Sequence, residues 1–526
     1  MNRRNFLRAG SMATIGGFAV RGMSNPLLSA IRNSVAEDRV LVIVQLFGGN
    51  DGLNTVIPLD RYDLLSQFRP QVLIPSNQTL PLSGLSNTAL HPALGGLQDL
   101  WQDGKLGIVQ GVSYPDPNFS HFRATDIYET GSSSGTLLNS GWAGRYLNHE
   151  YPNYPAGYPN TDMPDPLAVR VGGFLGPGLQ HMGVSMGVNI NNTNDPLDLA
   201  GNQYIDPVTP DCKGAKLANI RTVQRQTDLY GDVIEAAAVS GCNLSTQYPT
   251  GNEPGAELAQ ALKIVAQLIC GGLRTKIYWV SMSGFDTHAS QVLASDHRLG
   301  THADLLQGLS DSIHAFQDDL QLLGLEDRVM GMTFSEFGRR IVGNASLGTD
   351  HGSAQPMFLF GTNVIPGILG SNPEIPTNST FNTNLAMQYD FRSVYASVLK
   401  DWFCLDTADV NAVLLNTFQS LPIINPGGCI STDVHELNQR AGEELLQVYP
   451  NPFVERTTLQ FTTFGGPVLL QVFNEQGQLI TTVLNKELAA GQHTVDADLG
   501  DQQAGVYYAR MQNGPHQQVR SLLKVR

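Results

Sequence analysis

The sequence predicts an α/β domain built on a mostly parallel sheet with helices on both faces, followed by a small all-β, immunoglobulin-like sandwich. Two textures predict this order. From Val40 to about Leu421, short apolar runs alternate with longer stretches of helical period, the pattern of strand–helix–strand units. From about Leu445 the chain turns to short alternating strands, with turns at Asn474-Glu475-Gln476-Gly477, Ala490-Gly491 and Gln512-Asn513-Gly514, the pattern of a small sandwich. At 526 residues the chain exceeds one compact core, so two or more units are expected.

The first element is a leader. Arg3-Arg4-Asn5-Phe6-Leu7-Arg8 resembles the twin-arginine export signal, and the stretch to Val20 is apolar, rich in small residues and too short to span a bilayer. Ser34-Val35-Ala36 fits a small-x-small cleavage site. Residues 1–36 therefore read as a signal peptide, with a basic amphipathic helix as the alternative. No later segment is apolar enough for a membrane helix, so no transmembrane segment is expected in the mature chain.

Residues 37–425 form the expected α/β domain. Val40–Phe47, Lys276–Ser283 and Arg328–Phe334 have the length, β-branched content and glycine boundary of buried strands. The first runs into GGNDGLN with Asp51, the second into GFDTH with Asp286 and His288. The third runs into SEFGRR with Glu336, and GTDHG follows with Asp350 and His351. Strand carboxyl ends in open α/β sheets converge on one crevice, so these motifs are expected to meet. Carboxylates and imidazoles gathered there point to one or two divalent metal ions (zinc, or calcium, magnesium or manganese) with a hydrolytic purpose.

Each motif has a plainer reading beside that one. Asp51 follows two glycines and is equally suited to capping the next helix. Asp286 and His288 share a side if their segment is extended, which suits one cation. Glu336 is either a metal-side acid or the partner of Arg339 or Arg340, and Asp350 and His351 sit in a glycine-flanked loop. Leu106–Ser113 is a further strand, followed by a Pro-rich turn and by Ser120-His121 ahead of a helical Arg123–Glu129. Ser120 is thus either a nucleophile near a helix N-terminus or that helix's cap, and His121 is a further metal candidate. Arg123, Arg339 and Arg340 are candidates to hold a substrate oxyanion. His91, His297, His302 and His314 read as surface or packing residues.

Glu257–Cys270 and Ala303–Leu323 carry apolar positions at helical spacing. Residues 151–211 are dense in Pro, Gly and Asn and read as a long insertion decorating the crevice. Among five cysteines, Cys212 with Cys242 and Cys404 with Cys429 are candidate disulfides, leaving Cys270 as a buried thiol on its helix. Residues 426–444 read as a linker and 445–526 as the sandwich. The formal charge of -15 lacks the clustered Lys and Arg that nucleic acid demands, so no nucleic-acid partner is expected.

Two resemblances gather these residues. Val448-Tyr449-Pro450-Asn451-Pro452-Phe453, then Val472-Phe473-Asn474 with Gly477, Gly491 and His493, and Ala504-Gly505-Val506-Tyr507-Tyr508 resemble the C-terminal sorting domain of type IX secretion cargo. That implies the twin-arginine and type IX export machinery as partners, passage through the periplasm, and a surface or extracellular destination in a Bacteroidetes-like bacterium. The series GGNDGLN, His91-Pro92-Ala93-Leu94, Ser120-His121-Phe122, Gly141-Trp142-Ala143-Gly144-Arg145, FDTH, SEFGRR, GTDHG and Asp390-Phe391-Arg392-Ser393-Val394-Tyr395 resembles the bacterial family called domain of unknown function 1501. That family is similar to the alkaline phosphatase and sulfatase superfamily, which implies metal positions at Asp51, Asp286, His288, Glu336 and His351 and a nucleophile at Ser120. The chain departs from the superfamily in the two-residue spacing of FDTH, in Phe337 after Glu336, and in lacking a Cys-x-Pro-x-Arg signature. The first two departures count against a second metal, the last against a formylglycine mechanism. The expected function is an exported metal-dependent hydrolase of anionic phosphate or sulfate esters. The alternative is a non-catalytic surface protein on a degenerate version of the same fold.

Overall fold

The structure is a computed structural model that describes residues 38–173, 175–191, 207–426, 429, 447–463, 466–474, 477–489, 491–513 and 516–525. The twin-arginine segment, its cleavage site and most of the linker lie outside these residues, as do parts of the three expected tail turns. Contacts divide the chain into two units, Met1–Cys429 and Ile430–Arg526.

The first unit is organised by a nine-stranded sheet. In chain order its strands are β1 Val40–Leu46, β2 Leu106–Ser113, β3 Ala168–Val171, β4 Val188–Ile190, β5 Ile277–Met282, β6 Val329–Ser335, β7 Gln355–Phe360, β8 Gly367–Leu369 and β9 Tyr389–Asp390. The order across the sheet is β8-β2-β7-β6-β1-β5-β3-β4, with β9 also paired to β2. β1 sits in the middle with parallel neighbours, Leu41 opposite Ile277 on one side and Met330 on the other. Only β7 runs against the rest, pairing antiparallel with both β6 and β2. All seven residues of β1 are buried, as a strand covered on both faces requires.

The covering helices fall into two groups. Gly95–Gln102 (α1), Cys212–Ser240 (α4), Ala256–Cys270 (α5) and Thr301–Leu322 (α6) pack as one; His121–Thr130 (α2), Trp142–Glu150 (α3), Phe391–Ser397 (α7) and Thr407–Leu414 (α8) pack as the other. α6 is the longer helical segment read from sequence, and it buries Leu306, Leu309, Ile313, Phe316 and Leu320 along one stripe. Aromatic rings fill the second group: Trp142 stacks on Tyr395 at 4.4 Å and Tyr128 on Phe391 at 4.3 Å.

Two expectations change. The Pro-, Gly- and Asn-rich stretch is not wholly a decoration, because it supplies β3 and β4 and so completes one edge of the sheet. Short strands of three or four residues amid turn-forming sequence leave too little periodicity to be seen. GTDHG is likewise not a loop: Thr349–Gly352 pairs with Gly338–Gly343 in a hairpin that places Arg339 opposite His351. The Cys404–Cys429 disulfide is present. The side chain of Cys212 lies outside the description, and Cys242 faces Cys270 instead.

The second unit holds two antiparallel sheets, one of three strands and one of four. They enclose a core of their own in which Phe453, Leu459, Leu470, Val472, Ala509 and Leu522 are buried. Each unit thus buries its own apolar surface. A chain ended after Cys429 is therefore expected to keep the Cys404–Cys429 disulfide and to melt within roughly 3 °C of the same transition in the full chain. Loss of that transition in calorimetry would show that the tail is needed for folding.

Candidate functional site

Strand ends deliver the site. β1 ends at Leu46, β5 at Met282 and β6 at Ser335, and the register that aligns Leu46 with both Met282 and Ser335 brings their trailing motifs level. Gly48 makes the approach close. It has φ 123°, and a Cβ there would stand 2.2 Å from the backbone nitrogen of Asp286.

Arg339 ties the motifs together. Its guanidinium is fully buried and donates to the carbonyls of Gly49 and Thr349, each at 2.7 Å, and of Phe285 at 2.9 Å. It also donates to the carbonyl of Gly48 and to Asp286 Oδ1, the latter at 2.8 Å. The expected oxyanion holder is therefore a positioning residue, with its donors spent inside the protein. Arg123 is spent as well, on Asp126, Ser132 Oγ and the carbonyls of Ser133, Ser134 and Thr136. Arg340 differs: Nε donates to the carbonyl of His351 and Nη1 to Phe381 and Asn382, while Nη2 has no hydrogen-bond partner among the described residues.

Three imidazoles and one carboxylate face one another. His288 Nε2 lies 2.8 Å from His351 Nε2, and each lies 3.1 Å from Asp286 Oδ1. His121 Nε2 lies 3.5 Å from Asp286 Oδ2, and His121, Asp286 and His351 each offer a ligand atom within 4.8 Å of the others. The residues after Phe285 reach this arrangement through two successive tight turns rather than an extended segment, with Thr287 N–H bonded to Phe285 O and His288 N–H to Asp286 O.

The far side of each ring decides what this cluster can do. His121 Nδ1 faces Glu336 Oε1 at 2.9 Å, His288 Nδ1 faces Asp350 Oδ1 at 3.2 Å, and His351 Nδ1 faces the Phe119 carbonyl at 2.9 Å. All three partners accept hydrogen bonds, so the proton of each neutral ring belongs on Nδ1 and the Nε2 lone pair turns inward. The Nε2 lone pairs of His288 and His351 and the Asp286 carboxylate, converging at about 3 Å with His121 Nε2 3.5 Å from the other carboxylate oxygen, repel one another unless a cation stands among them. Ligands about 2.1 Å from a tetrahedral cation lie about 3.4 Å apart, so Asp286, His288 and His351 fit such an ion after opening by a few tenths of an ångström, with His121 beside them at the other carboxylate oxygen.

Titration follows the same contacts. The hydrogen bond that its Nδ1–H donates to Glu336 raises the His121 imidazole above its ordinary value. Burial pulls His351 down despite Asp286 beside it. Burial would raise the Asp286 carboxyl, but Arg339 and His351 outweigh it and hold it low. Asp350 is held low against burial by Asn344 and His288.

The sequence-read residues now have places. His121, Asp286, His288 and His351 come together; Glu336 and Asp350 stand behind them as partners of the rings. Glu336 is 1% exposed and accepts from Gly48 N–H at 2.7 Å as well. It does not form the alternative salt bridge to Arg339 or Arg340, since Arg339 is committed to Asp286 and Arg340 donates to His351, Phe381 and Asn382. Asp51 is elsewhere: its Oδ2 takes Arg69 in a fully buried ion pair and Gln291 Nε2 at 2.6 Å. Nor does it cap a helix with its side chain. Ser120 lies at the start of α2, exposed, with no capping hydrogen bond from its side chain; its N–H goes to Asn118 Oδ1.

Sequence reasoning missed Phe119, Asn344, Arg69 and Gln291. Asn344 Nδ2 holds both the His288 carbonyl at 2.9 Å and Asp350 Oδ1 at 3.1 Å, while Gln291 Oε1 accepts from Thr287 and Thr349. None of these stands at a motif spacing, and Phe119 acts through its backbone. His91 and His302 do pack, but in the interior. Each is 1% exposed, and they meet edge to face at 5.9 Å beside Asn50 and Asp51.

Relatives bear on these residues as follows. The model described as protein of unknown function (DUF1501) matches residues 38–414, and that of the secretion system C-terminal sorting domain matches residues 447–525. The tail is thus a type IX sorting domain, which marks the chain for export to the cell surface or the medium. No curated protein matches the chain. Among solved structures, a phosphonate monoester hydrolase from Silicibacter pomeroyi is 9% identical with a TM-score of 0.34, covering 92% of this chain and 88% of that one. A sulfatase from Pseudoalteromonas sp. is 8% identical with a TM-score of 0.32, covering 90% and 88%. A protein from a Bacteroides thetaiotaomicron locus for glycosaminoglycan metabolism is 9% identical with a TM-score of 0.33, covering 84% and 88%. At these scores the likeness carries no inference about chemistry.

Burial pushes His91 down to about 3 and His302 down to about 4. The unfolded chain takes up these protons near pH 6.5 while the native chain does not, so their contribution to stability is full above about pH 6.5 and is lost as pH falls toward 4. Chelator-treated protein is expected to show a falling melting temperature from pH 7 to 5, and His302→Gln to flatten that slope. A melting temperature unchanged across this window contradicts the assignment of buried neutral imidazoles.

Proposed function

The chain belongs to the DUF1501 family over residues 38–414, and from that footing we propose that it is an exported, divalent-metal-dependent hydrolase of phosphate or sulfate esters. One observation carries the proposal. Three imidazoles, each with Nδ1 held by an acceptor, turn their Nε2 atoms toward one carboxylate. His121, Asp286, His288 and His351 would hold the ion; Glu336, Asp350 and the Phe119 carbonyl would orient the rings. When bound, a divalent cation supplies Lewis-acid neutralisation of anionic ester oxygens and lowers the pKa of a nearby hydroxyl.

The remaining work falls to the chain's own groups. Ser120 is the proposed nucleophile. Its hydroxyl is exposed and has no hydrogen-bond partner among the described residues, at the start of α2 beside His121, where helix amides favour negative charge. The hydroxyl loses its proton as the oxygen attacks phosphorus or sulfur in line, and the ester oxygen leaves on the opposite side and takes up a proton to depart as the alcohol. A water then cleaves the Ser120 ester to release phosphate or sulfate and restore the hydroxyl. Arg340 Nη2, unlike the guanidinium groups of Arg123 and Arg339, has capacity to hold an equatorial oxygen. The acidic domain would repel an anionic ester but for such local positive charge. The sorting tail supports delivery outside the cell, and the twin-arginine motif at Arg3-Arg4 supports passage through the periplasm first.

His351→Ala is expected to abolish stoichiometric metal in elemental analysis, and Asp350→Asn to weaken metal affinity by about 10–100-fold while leaving the ligands in place. Wild-type protein with no affinity for zinc, manganese, calcium or magnesium would leave the non-catalytic reading standing. Ser120→Ala is expected to reduce turnover of an aryl phosphate or sulfate by about 10³-fold or more with metal content intact. Full activity in that variant would move the nucleophile's role from Ser120 to water.

A further inference from the structure

We infer that Cys242 and Cys270 form a second disulfide, which clamps the carboxyl ends of α4 and α5. The two Sγ atoms stand 2.9 Å apart, so a bond needs a closure of only about 0.9 Å. The fold holds them there from both sides. A Cβ at Gly241 would lie 2.0 Å from the Gln267 carbonyl oxygen, and one at Gly271 would lie 1.9 Å from that of Ala237. The backbones of the two helix ends therefore touch on either side of the thiols. Gln267 Nε2 donates across the same gap to Ala238 O at 2.8 Å, and Asn243 Nδ2 to Lys263 O at 3.0 Å.

The chain beyond Cys242 is pinned as well. Buried Asp319 accepts from the backbone N–H groups of Leu244 and Ser245 at 2.6 and 3.0 Å, from Asn243 Nδ2 at 2.8 Å and from Tyr248 Oη at 2.9 Å. With both cysteines seated on anchored backbone, their proximity is a property of the scaffold. The cross-link would hold α4, which packs along β4 at the outer edge of the sheet.

The reaction is thiol–disulfide exchange with an oxidised partner, a protein or small-molecule disulfide. Cys242 is exposed and Cys270 is half-buried, so the Cys242 thiolate attacks first and forms a mixed disulfide, releasing one partner sulfur as thiolate. The Cys270 thiolate then attacks Cys242 Sγ and the second partner sulfur leaves. The partner gains two electrons and the two protons given up by the cysteines. This rests on the exported location proposed above, where such partners act, and the chain already carries the Cys404–Cys429 bond.

The test is a thiol count and a peptide map of full-length exported protein, purified without reductant, alkylated under denaturing conditions and digested. The expected result is one free thiol per chain, that of Cys212, because two bonds use four of the five cysteines. A Cys242–Cys270 cross-linked peptide should appear beside Cys404–Cys429, and Cys242→Ser should raise the count from one to two, with Cys270 labelled. Alkylation of both Cys242 and Cys270 while Cys404–Cys429 stays joined overturns the inference, as does a Cys212–Cys242 peptide. If Cys404 and Cys429 are also found reduced, the export reading has failed instead. Equilibration of the native protein with oxidised glutathione then decides the pairing: a Cys242–Cys270 bond supports it, and continued labelling of both overturns it.

Discussion

The crevice depends on one buried cation, the guanidinium of Arg339. Three separate segments present their carbonyls or carboxylate to it: the glycine turn after β1, the turn after β5, which supplies both the Phe285 carbonyl and Asp286, and the hairpin strand beginning at Thr349. A charge removed from water is tolerated only when its donors are satisfied, and here the satisfying groups are the backbone of the site itself. Truncating such a residue would leave several buried carbonyls unpaired, at a cost of about 1–3 kcal/mol for each. Arg339 also fixes Asp286, so the carboxylate that faces the three imidazoles has its position set from behind.

The imidazoles are set in the same manner, each by an acceptor on the side away from the cluster. Glu336 and Asp350 do this with carboxylates and Phe119 with a carbonyl. The division of labour resembles that of metal sites in general, where the residues behind the ligands fix the tautomer and ring direction. It also explains why acids that look alike in sequence differ in role. Asp286 faces the cluster, Asp350 and Glu336 face the backs of rings, and Asp51 is neutralised by Arg69 in the interior.

Much of this was legible in the sequence because it rests on apolar runs and glycine boundaries. β1, β2, β5 and β6, helices α5 and α6 and the sorting tail follow from periodicity and motif, whereas the longest helix, α4, does not. The convergence of GGNDGLN, FDTH and SEFGRR follows from where parallel strands end. What was not legible depends on pairing across the chain. The hairpin that carries His351 is set by its register with Arg339, and β3 and β4 are too short to announce themselves. Arg123 and Arg339 share the residue type of an oxyanion holder, yet their donors are spent locally, and composition cannot count donors. The Cys242–Cys270 approach is a contact between two helix ends, where the sequence offered Cys212 with Cys242 only as a candidate pair.

The central claim is that the inward-facing Nε2 atoms of His121, His288 and His351, with Asp286, surround a divalent cation. Anomalous diffraction from crystals of the purified protein grown with zinc or manganese tests it most directly. The account predicts a single strong anomalous peak within about 2.0–2.3 Å of His288 Nε2, His351 Nε2 and an Asp286 carboxylate oxygen. No peak among these residues, or a peak at Asp51 with the imidazoles unligated, would contradict it.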